Sequence, residues 1–160
     1  MPLFPLYIRL LAVGKLRGAI WLPAVTEYSQ RVRRYVKFEL VEIRDSIGKG
    51  LPEATALAEE GKAITQFLEP GNYLITLDRE GKSLASAQFA KLLQKQIDAG
   101  IRKMDFAIGG PVGLAQNIAA KANLRLSLGA LTLPHELARV VLLEQLYRAL
   151  TILRGEPYHK

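Results

Sequence analysis

The feature that most constrains the fold is a regular alternation between short apolar segments and longer segments with helical periodicity. The apolar segments end at glycine or turn residues, and in the longer segments apolar residues recur three and four positions apart. Strands that alternate with helices are typical of an α/β fold with a mainly parallel sheet and flanking helices. The predicted strands are residues 7–13, 36–43, 73–77, 104–108 and 124–128, and the predicted helices are residues 19–34, 52–68, 83–99, 114–122 and 136–153.

The same patterns predict how the sheet is arranged. Residues 36–43 alternate apolar and polar side chains, which indicates a half-buried strand near a sheet edge. Periodicity alone favours an unknotted, flavodoxin-like sheet, because connections in proteins rarely thread through loops. In such sheets ligands bind beyond the carboxyl ends of the strands, so Leu77 and its neighbours are binding-site candidates. We expect residues 78–82 to form a charged loop, Ser83 to cap the next helix, and residues 1–160 to form one domain.

The charge balance indicates one class of partner without requiring it. The chain has 22 Lys and Arg residues against 15 Asp and Glu residues, giving a formal net charge of +7. This excess favours a polyanionic partner such as nucleic acid, although a basic protein can carry it with no such partner. The cluster Arg31, Arg33 and Arg34 also has two interpretations. Its positive charges stabilise the C-terminal end of a predicted helix, or they form a patch that faces phosphates.

Several classes of site and location are excluded or disfavoured. The chain has no cysteine, so disulfides, thiolate metal sites and cysteine nucleophiles are excluded. It has two histidines, one at the penultimate position, and we therefore expect no metal site. The longest uncharged run, residues 106–120, is shorter than the ~18–20 residues of a membrane span and contains glycines and Pro111. We expect a cytoplasmic protein with no membrane partner.

Two stretches carry most of the functional information. Residues 126–133 are almost wholly apolar and lead directly into Pro134, which suits the start of a helix. A ligand held there would meet few polar side chains, so backbone N–H and C=O groups would have to recognise it, as suits a flat heterocycle such as adenine. The glycine turn at residues 109–113 lies between a predicted strand and a predicted helix. It is either a tight structural turn or a loop whose amides, beside a helix end, hold a polar ligand group.

The C-terminal region has two further features. The helix predicted at residues 136–153 carries more apolar surface than one face needs, which favours contact with a second subunit over purely internal packing. The tail ends in Tyr158, His159 and Lys160, which provide stacking, proton-transfer and phosphate-pairing groups in succession. An ordinary tail frays at its end, whereas this combination could act as a clamp on a substrate.

Four motifs in a fixed order resemble the ribosomal RNA large subunit methyltransferase H family. They are Ile108-Gly-Gly-Pro-Val-Gly113, Leu128-Gly-Ala-Leu-Thr-Leu-Pro-His135, Arg139-Val-Val-Leu-Leu-Glu-Gln-Leu-Tyr-Arg148 and Pro157-Tyr-His-Lys160. The resemblance extends over essentially the whole chain. It implies a small SPOUT-class enzyme that uses S-adenosyl-L-methionine to methylate N3 of a pseudouridine in large-subunit (23S) rRNA, on the assembled ribosome. It also implies a homodimer and a C-terminal trefoil knot.

The resemblance further implies roles for individual residues. His159 is the candidate base, Tyr158 stacks or handles a proton, and Arg148 stabilises negative charge. Tyr158, His159, Lys160 and Arg139 are the implied substrate contacts, whereas His135 fits a structural role at the helix start better than a catalytic one. The chain ends in Lys where the family pattern has Arg, which keeps the charge but loses bidentate phosphate geometry. The implied cofactor contacts are Leu77, Gly109, Gly110, Leu128, Gly129, Ala130, Leu131, Thr132 and Leu133.

Two other functions stay open at this point. A non-catalytic ribosome- or RNA-binding factor could keep the fold without the chemistry. A small-molecule methyltransferase would keep the cofactor but use ribosomes poorly.

Overall fold

A computed structural model describes all residues from Met1 to Lys160. Five strands and five helices alternate along the chain, which confirms the predicted α/β fold. The strands are β1 (Tyr7–Val13), β2 (Lys37–Ile43), β3 (Tyr73–Ser83), β4 (Lys103–Ile108) and β5 (Leu124–Ser127). The helices are α1 (Leu22–Arg33), α2 (Glu53–Thr65), α3 (Ser86–Asp98), α4 (Gln116–Lys121) and α5 (His135–Leu153).

The five strands form one sheet in the order β2-β1-β4-β3-β5, and every neighbouring pair is parallel. The edge position expected for the half-buried second strand is confirmed. The flavodoxin-like arrangement is wrong, because its order 2-1-3-4-5 would put β3 beside β1. In this chain β4 lies there, and it is buried on both faces from Met104 to Ile108, as suits the centre of a sheet.

Helices cover both faces of the sheet. On one face α1, α3 and α5 pack over a cluster of 22 buried residues, among them Val32, Leu93 and Leu146. On the other face α2 and α4 cover a cluster of 8 buried residues, to which Ile64 and Ile118 contribute. The apolar excess of α5 is used partly inside the chain, since its middle and end are buried between α1 and α3. No helix is long and apolar enough to cross a membrane.

The region after Leu77 differs from its prediction. Residues 78–82 continue β3 instead of forming a loop, with a register shift between Leu77 and Lys82. Ser83 is the last residue of β3 and caps no helix, because α3 begins at Ser86. Gly81 permits the extension, since a Cβ there would lie 2.6 Å from the carbonyl oxygen of Arg125 on β5. The pairing of β3 with β5 therefore depends on a close backbone approach that only glycine allows.

A buried ion pair fixes the centre of the sheet. Arg9 is the one charged residue of β1, and its Nε lies 2.7 Å from Asp105 Oδ1 on β4. Its Nη2 donates to the carbonyl oxygen of Phe67 at 2.5 Å, and Asn72 Nδ2 donates to Asp105 Oδ2 at 3.1 Å. The pair therefore joins β1 and β4 to the connection between α2 and β3, with its hydrogen-bonding groups satisfied as burial requires.

Candidate functional site

A cavity of about 600 Å³ opens where the carboxyl ends of β3, β4 and β5 meet the start of α5. This is the edge of a parallel sheet at which ligands are expected. The wall includes Leu77 and both glycines that follow β4. Of the nine residues implied as cofactor contacts only Ala130 does not line it. The full lining is Leu77, Asp78, Arg79, Ile108, Gly109, Gly110, Pro111, Gly113, Leu126, Leu128, Gly129, Leu131, Thr132, Leu133, Pro134, His135 and Ala138.

The glycine turn after β4 closes on its own backbone. The amide of Gly113 donates to the carbonyl oxygen of Gly110 at 3.0 Å, and Gly113 has a φ of +84°, which favours glycine. A Cβ on Gly109 would lie 2.3 Å from the carbonyl carbon of Gly113. The turn is therefore a tight structural turn that also forms one wall of the cavity. The helix expected from Leu114 is present but starts two residues later, because α4 runs from Gln116 to Lys121 and has 6 residues.

The segment at residues 128–133 contributes five of its six residues to the cavity wall, and its backbone makes few hydrogen bonds within the chain. None of the backbone hydrogen bonds outside the helices and strands involves these six residues. The amide of Gly129 is satisfied by the hydroxyl of Ser127 at 3.1 Å, and that hydroxyl donates to the carbonyl oxygen of Gly129 at 3.0 Å. Apart from this local turn, the N–H and C=O groups of the segment are free to bond a ligand, as a backbone-recognised heterocycle requires.

Two charged residues of the cavity wall, Asp78 and Arg79, are neighbours of Leu77, the position that the sequence indicated as a binding-site candidate. Asp78 accepts from Arg125 Nε at 2.8 Å and from the backbone amide of Glu80 at 2.9 Å. The Arg125 guanidinium holds the pKa of the Asp78 carboxyl below its ordinary value, so this carboxyl is ionised at neutral pH. Arg79 donates to Thr132 Oγ1 at 2.5 Å and thereby ties β3 to the 128–133 segment. Their place directly after the predicted strand at residues 73–77 was the signal in the sequence.

Arg139 has a different role from the substrate contact implied by the sequence. Its side chain is fully buried, so that prediction is wrong for a residue that must reach a bound RNA. Nη2 donates to the carbonyl oxygens of Val13 at 3.0 Å and Gly14 at 2.5 Å, and Nη1 lies 3.5 Å from a carboxylate oxygen of Glu42. Burial lowers the pKa of Arg139. Arg139 therefore anchors the start of α5, which carries the cavity residue His135, to the end of β1.

The tail packs on the outer part of α5. The hydroxyl of Tyr158 donates to Glu144 Oε1 at 3.1 Å, and its ring centroid lies 4.6 Å from that of Tyr147. Arg148 bonds the same Glu144 carboxylate at 2.6 Å and 3.0 Å, and its guanidinium lies 4.7 Å over the Tyr158 ring. The ring Nδ1 of His159 is 3.3 Å from Arg148 Nη1. We call Glu144, Arg148, Tyr158 and His159 the tail cluster; sequence reasoning did not identify Glu144.

The electrostatics of the tail cluster define what its groups can do. Burial, followed by hydrogen bonds with Tyr28 and Glu144, raises the pKa of Tyr158 to about 12. Tyr158 is therefore protonated at neutral pH, so it can donate a hydrogen bond but cannot act as a base. The side chain of Arg148 is held in place by two bonds to one carboxylate. His159 and Lys160 are exposed, and Lys160 has no carboxylate within ion-pair distance.

Within one chain the cavity and the tail cluster are separate. No residue of the tail cluster lines the cavity. Ala138 is the last α5 residue in the cavity wall, and it lies ten positions before Arg148, a distance of about 15 Å along a helix axis. A single chain therefore does not bring the implied cofactor residues and the implied catalytic residues together. No group of three or more His, Cys, Asp or Glu residues is arranged to hold a metal ion.

Comparison with known proteins identifies related chains over nearly the whole length. A family model described as "Predicted SPOUT methyltransferase" matches residues 6–159. A protein of Anaeromyxobacter dehalogenans (strain 2CP-C), named ribosomal RNA large subunit methyltransferase H, is 45% identical over 160 residues, which cover 96% of this chain and 99% of the relative. A protein of the same name from Solidesulfovibrio magneticus is 46% identical over 152 residues, covering 95% and 97%.

Solved structures agree on the fold. The crystal structure of a probable methyltransferase from Bordetella pertussis Tohama I matches with a TM-score of 0.57 and covers 91% of this chain and 95% of its own. The two sequences are 13% identical, so this likeness concerns the fold alone.

Proposed function

Because the chain belongs to the SPOUT methyltransferase family, as its sequence motifs implied, we propose that it transfers the methyl group of S-adenosyl-L-methionine to large-subunit rRNA. The observation that carries this proposal is the convergence of eight of the nine implied cofactor residues on one cavity at the carboxyl end of the sheet. The identity of 45% and 46% with proteins named as rRNA methyltransferases favours the enzyme over a non-catalytic factor of the same fold.

The cavity suits S-adenosyl-L-methionine in size and chemistry. Its volume of about 600 Å³ is within the range of pockets that bury small-molecule cofactors. The free backbone groups of residues 128–133 would hold the adenine, and Leu77, Leu126 and Leu133 supply apolar walls for its faces. The ionised Asp78 is the one carboxylate of the lining, and its charge is already paired with Arg125. When bound, the cofactor supplies an activated methyl group on its sulfonium.

The residues of the chain then have to position the acceptor and manage its proton. We propose that the acceptor is N3 of a pseudouridine on the assembled ribosome, with His159 as the base that takes the N3 proton. Tyr158 is protonated and rigidly packed, so it serves as a stacking surface and hydrogen-bond donor. Arg148, fixed by Glu144, stabilises the negative charge that develops on the base, and Lys160 pairs with a phosphate. A ribosomal substrate implies a cytoplasmic location.

The active unit in this proposal is a homodimer. The tail cluster lies about 15 Å from the cavity along α5, and this separation supports an arrangement in which a second copy brings its tail to the cavity of the first. Exposed apolar side chains support a covered surface: Leu131 in the cavity wall is 83% exposed, and Ile20 and Leu22 before and at the start of α1 are 76% and 53% exposed.

The trefoil knot is part of the same proposal. The chain leaves β5 at one edge of the sheet, and Arg139 on α5 then reaches Val13 and Gly14 at the end of β1, on the far side of β3 and β4. The segment between β5 and Arg139 therefore crosses the ends of β3 and β4. A threaded connection also has to make this crossing, so the path of the chain supports the knot.

Methyl transfer is tested with 70S ribosomes from a strain that lacks the modification. Calorimetry should give saturable binding of S-adenosyl-L-methionine, and radiolabelled methyl groups should enter 23S rRNA of 70S ribosomes more efficiently than naked rRNA. A protein that binds cofactor but labels no rRNA species contradicts the proposal. Efficient labelling of small molecules with poor labelling of ribosomes would support the small-molecule alternative.

The dimer is tested by complementation between two inactive variants. One lacks residues 158–160 but should fold and dimerise normally. The other, Gly129→Val, strains a position with a φ of +134° and should no longer bind cofactor. After mixing, half of the dimers are mixed and each has one intact site, so activity should return to about 25% of wild type. If the tail acts within its own chain, mixing restores nothing.

A further inference from the structure

A second concave surface lies between α3 and the edge strand β5. We call it the lysine groove; it has a volume of about 320 Å³. Lys82 from β3 and Lys91 and Lys95 from α3 line it, together with Gln88. Leu124 of β5 is half-buried and forms part of the floor. The groove thus combines an apolar floor with a cationic rim.

The three lysines carry charge that no side chain of the chain neutralises. All three are exposed, and none has a carboxylate oxygen within 4.0 Å, unlike Lys49 and Lys103, which form ion pairs. Lys91 and Lys95 are one helical turn apart, so their ammonium groups project side by side. The nearby Asp78 is already paired with Arg125. This rim is therefore a strip of uncompensated positive charge on a chain with a net charge of +7.

The lysine groove is continuous with the cofactor cavity. A middle pocket of about 310 Å³ lies between them. It shares Ser83 and Leu84 with the lysine groove, and it shares Leu126, Leu128 and Gly129 with the cavity. One path of adjoining concave surfaces therefore runs from the cavity, across the 128–129 backbone, to the lysines. A polymer whose reacting unit sits at the cavity can extend along this path.

We infer that the lysine groove binds the phosphate backbone of the RNA strand that flanks the methylated nucleotide. This inference rests on the proposed function. Lysines recognise phosphates as point charges without reading bases, so the groove sets the position and direction of the strand. The apolar floor formed by Leu84, Leu92 and Leu124 suits the faces of riboses and unstacked bases. The continuity with the cavity favours the substrate strand over an unrelated acidic peptide.

The test measures binding to ribosomes as a function of salt. The probe is 70S ribosomes that lack the modification, retained on filters at several KCl concentrations. The variant Lys82→Gln/Lys91→Gln/Lys95→Gln loses three phosphate contacts, so the slope of log K against log salt should fall by about 2. At 0.1 M salt this corresponds to a loss of affinity on the order of 100-fold. KM for ribosomes should rise, kcat should change little, and cofactor affinity should be unchanged.

A charge-matched control separates the groove from net charge. Lys37, Lys62 and Lys121 are exposed and form no ion pair, and they lie on the opposite edge or face of the sheet. Changing these three to Gln should leave slope and KM near wild type, and Lys→Arg changes in the groove should preserve both.

Two results would overturn the inference: a groove variant with the wild-type salt slope and KM, or a control variant that is equally weakened. Failure of the proposed function looks different. It appears as absent cofactor binding and absent methyl transfer by the wild-type protein, and the salt slopes of the variants still report whether the groove contacts RNA.

Discussion

Replacement of the buried Arg139 by methionine tests how the start of α5 is held at the cavity. Arg139→Met keeps an unbranched apolar stem of similar shape but removes the charged donor. The carbonyl oxygens of Val13 and Gly14 then lose partners at 3.0 Å and 2.5 Å in a fully buried site. The variant therefore isolates the anchoring bonds from the packing of the helix.

The magnitude follows from these contacts. Hydrogen bonds from a charged donor contribute about 1.5–3 kcal/mol each, and two are lost. Burial of the guanidinium, which also lowers its pKa, offsets part of this, so the free energy of unfolding should fall by about 2–4 kcal/mol. For a chain of this size the expected decrease in Tm is roughly 4–16 °C. Cofactor affinity should fall as well, because His135 and Ala138 of α5 line the cavity.

Thermal unfolding and calorimetry with S-adenosyl-L-methionine check both expectations. The control is Arg154→Met, which removes an exposed arginine whose Nε lies 4.0 Å from Glu156 Oε1 and should cost less than about 1 kcal/mol of stability. An Arg139→Met protein with unchanged Tm and unchanged cofactor affinity refutes the anchoring role. Equal losses of stability in both variants would also refute it.

Three further predictions address single contacts. Gly109→Val should reduce cofactor affinity at least about tenfold and lower Tm, because its Cβ would collide with Gly113 at 2.3 Å; calorimetry that gives wild-type affinity contradicts this. Tyr158 has its pKa raised to about 12, so its stabilising protonated form is fully present below about pH 10 and is lost between about pH 10 and 12. The pKa of Tyr35 is also strongly raised, by burial and its hydrogen bond with Glu156, so ultraviolet titration of Tyr158→Phe should show the loss of one late-titrating tyrosine while that of Tyr35 remains. Asp105→Asn leaves the buried Arg9 without its carboxylate and should cost about 3–5 kcal/mol in chemical denaturation, whereas an exposed Asp98→Asn change should cost almost nothing.

Local sequence patterns were sufficient for the elements of secondary structure. Residues 7–13 were predicted as a strand with the bounds that β1 has, and the half-buried pattern of residues 36–43 correctly indicated an edge strand. These patterns succeed because periods of two and about 3.6 residues depend only on which side of an element faces the core. The apolar run before Pro134 likewise predicted a pocket, and most of its residues line the cavity, since a lack of polar side chains can be read directly from the sequence.

Only the tertiary structure decided the strand order, the role of Arg139 and the position of the C-terminal tail. An arginine has the same appearance in a sequence whether it faces RNA or bonds the carbonyl oxygens of residues 125 and 126 positions away. The insertion of β4 between β1 and β3 depends on long-range packing. The periodicity of a helix or a strand carries no information about such packing. The sequence by itself determined the elements and the chemistry available at each strand end. Tertiary packing determined which ends meet, because contacts between distant residues leave no local pattern.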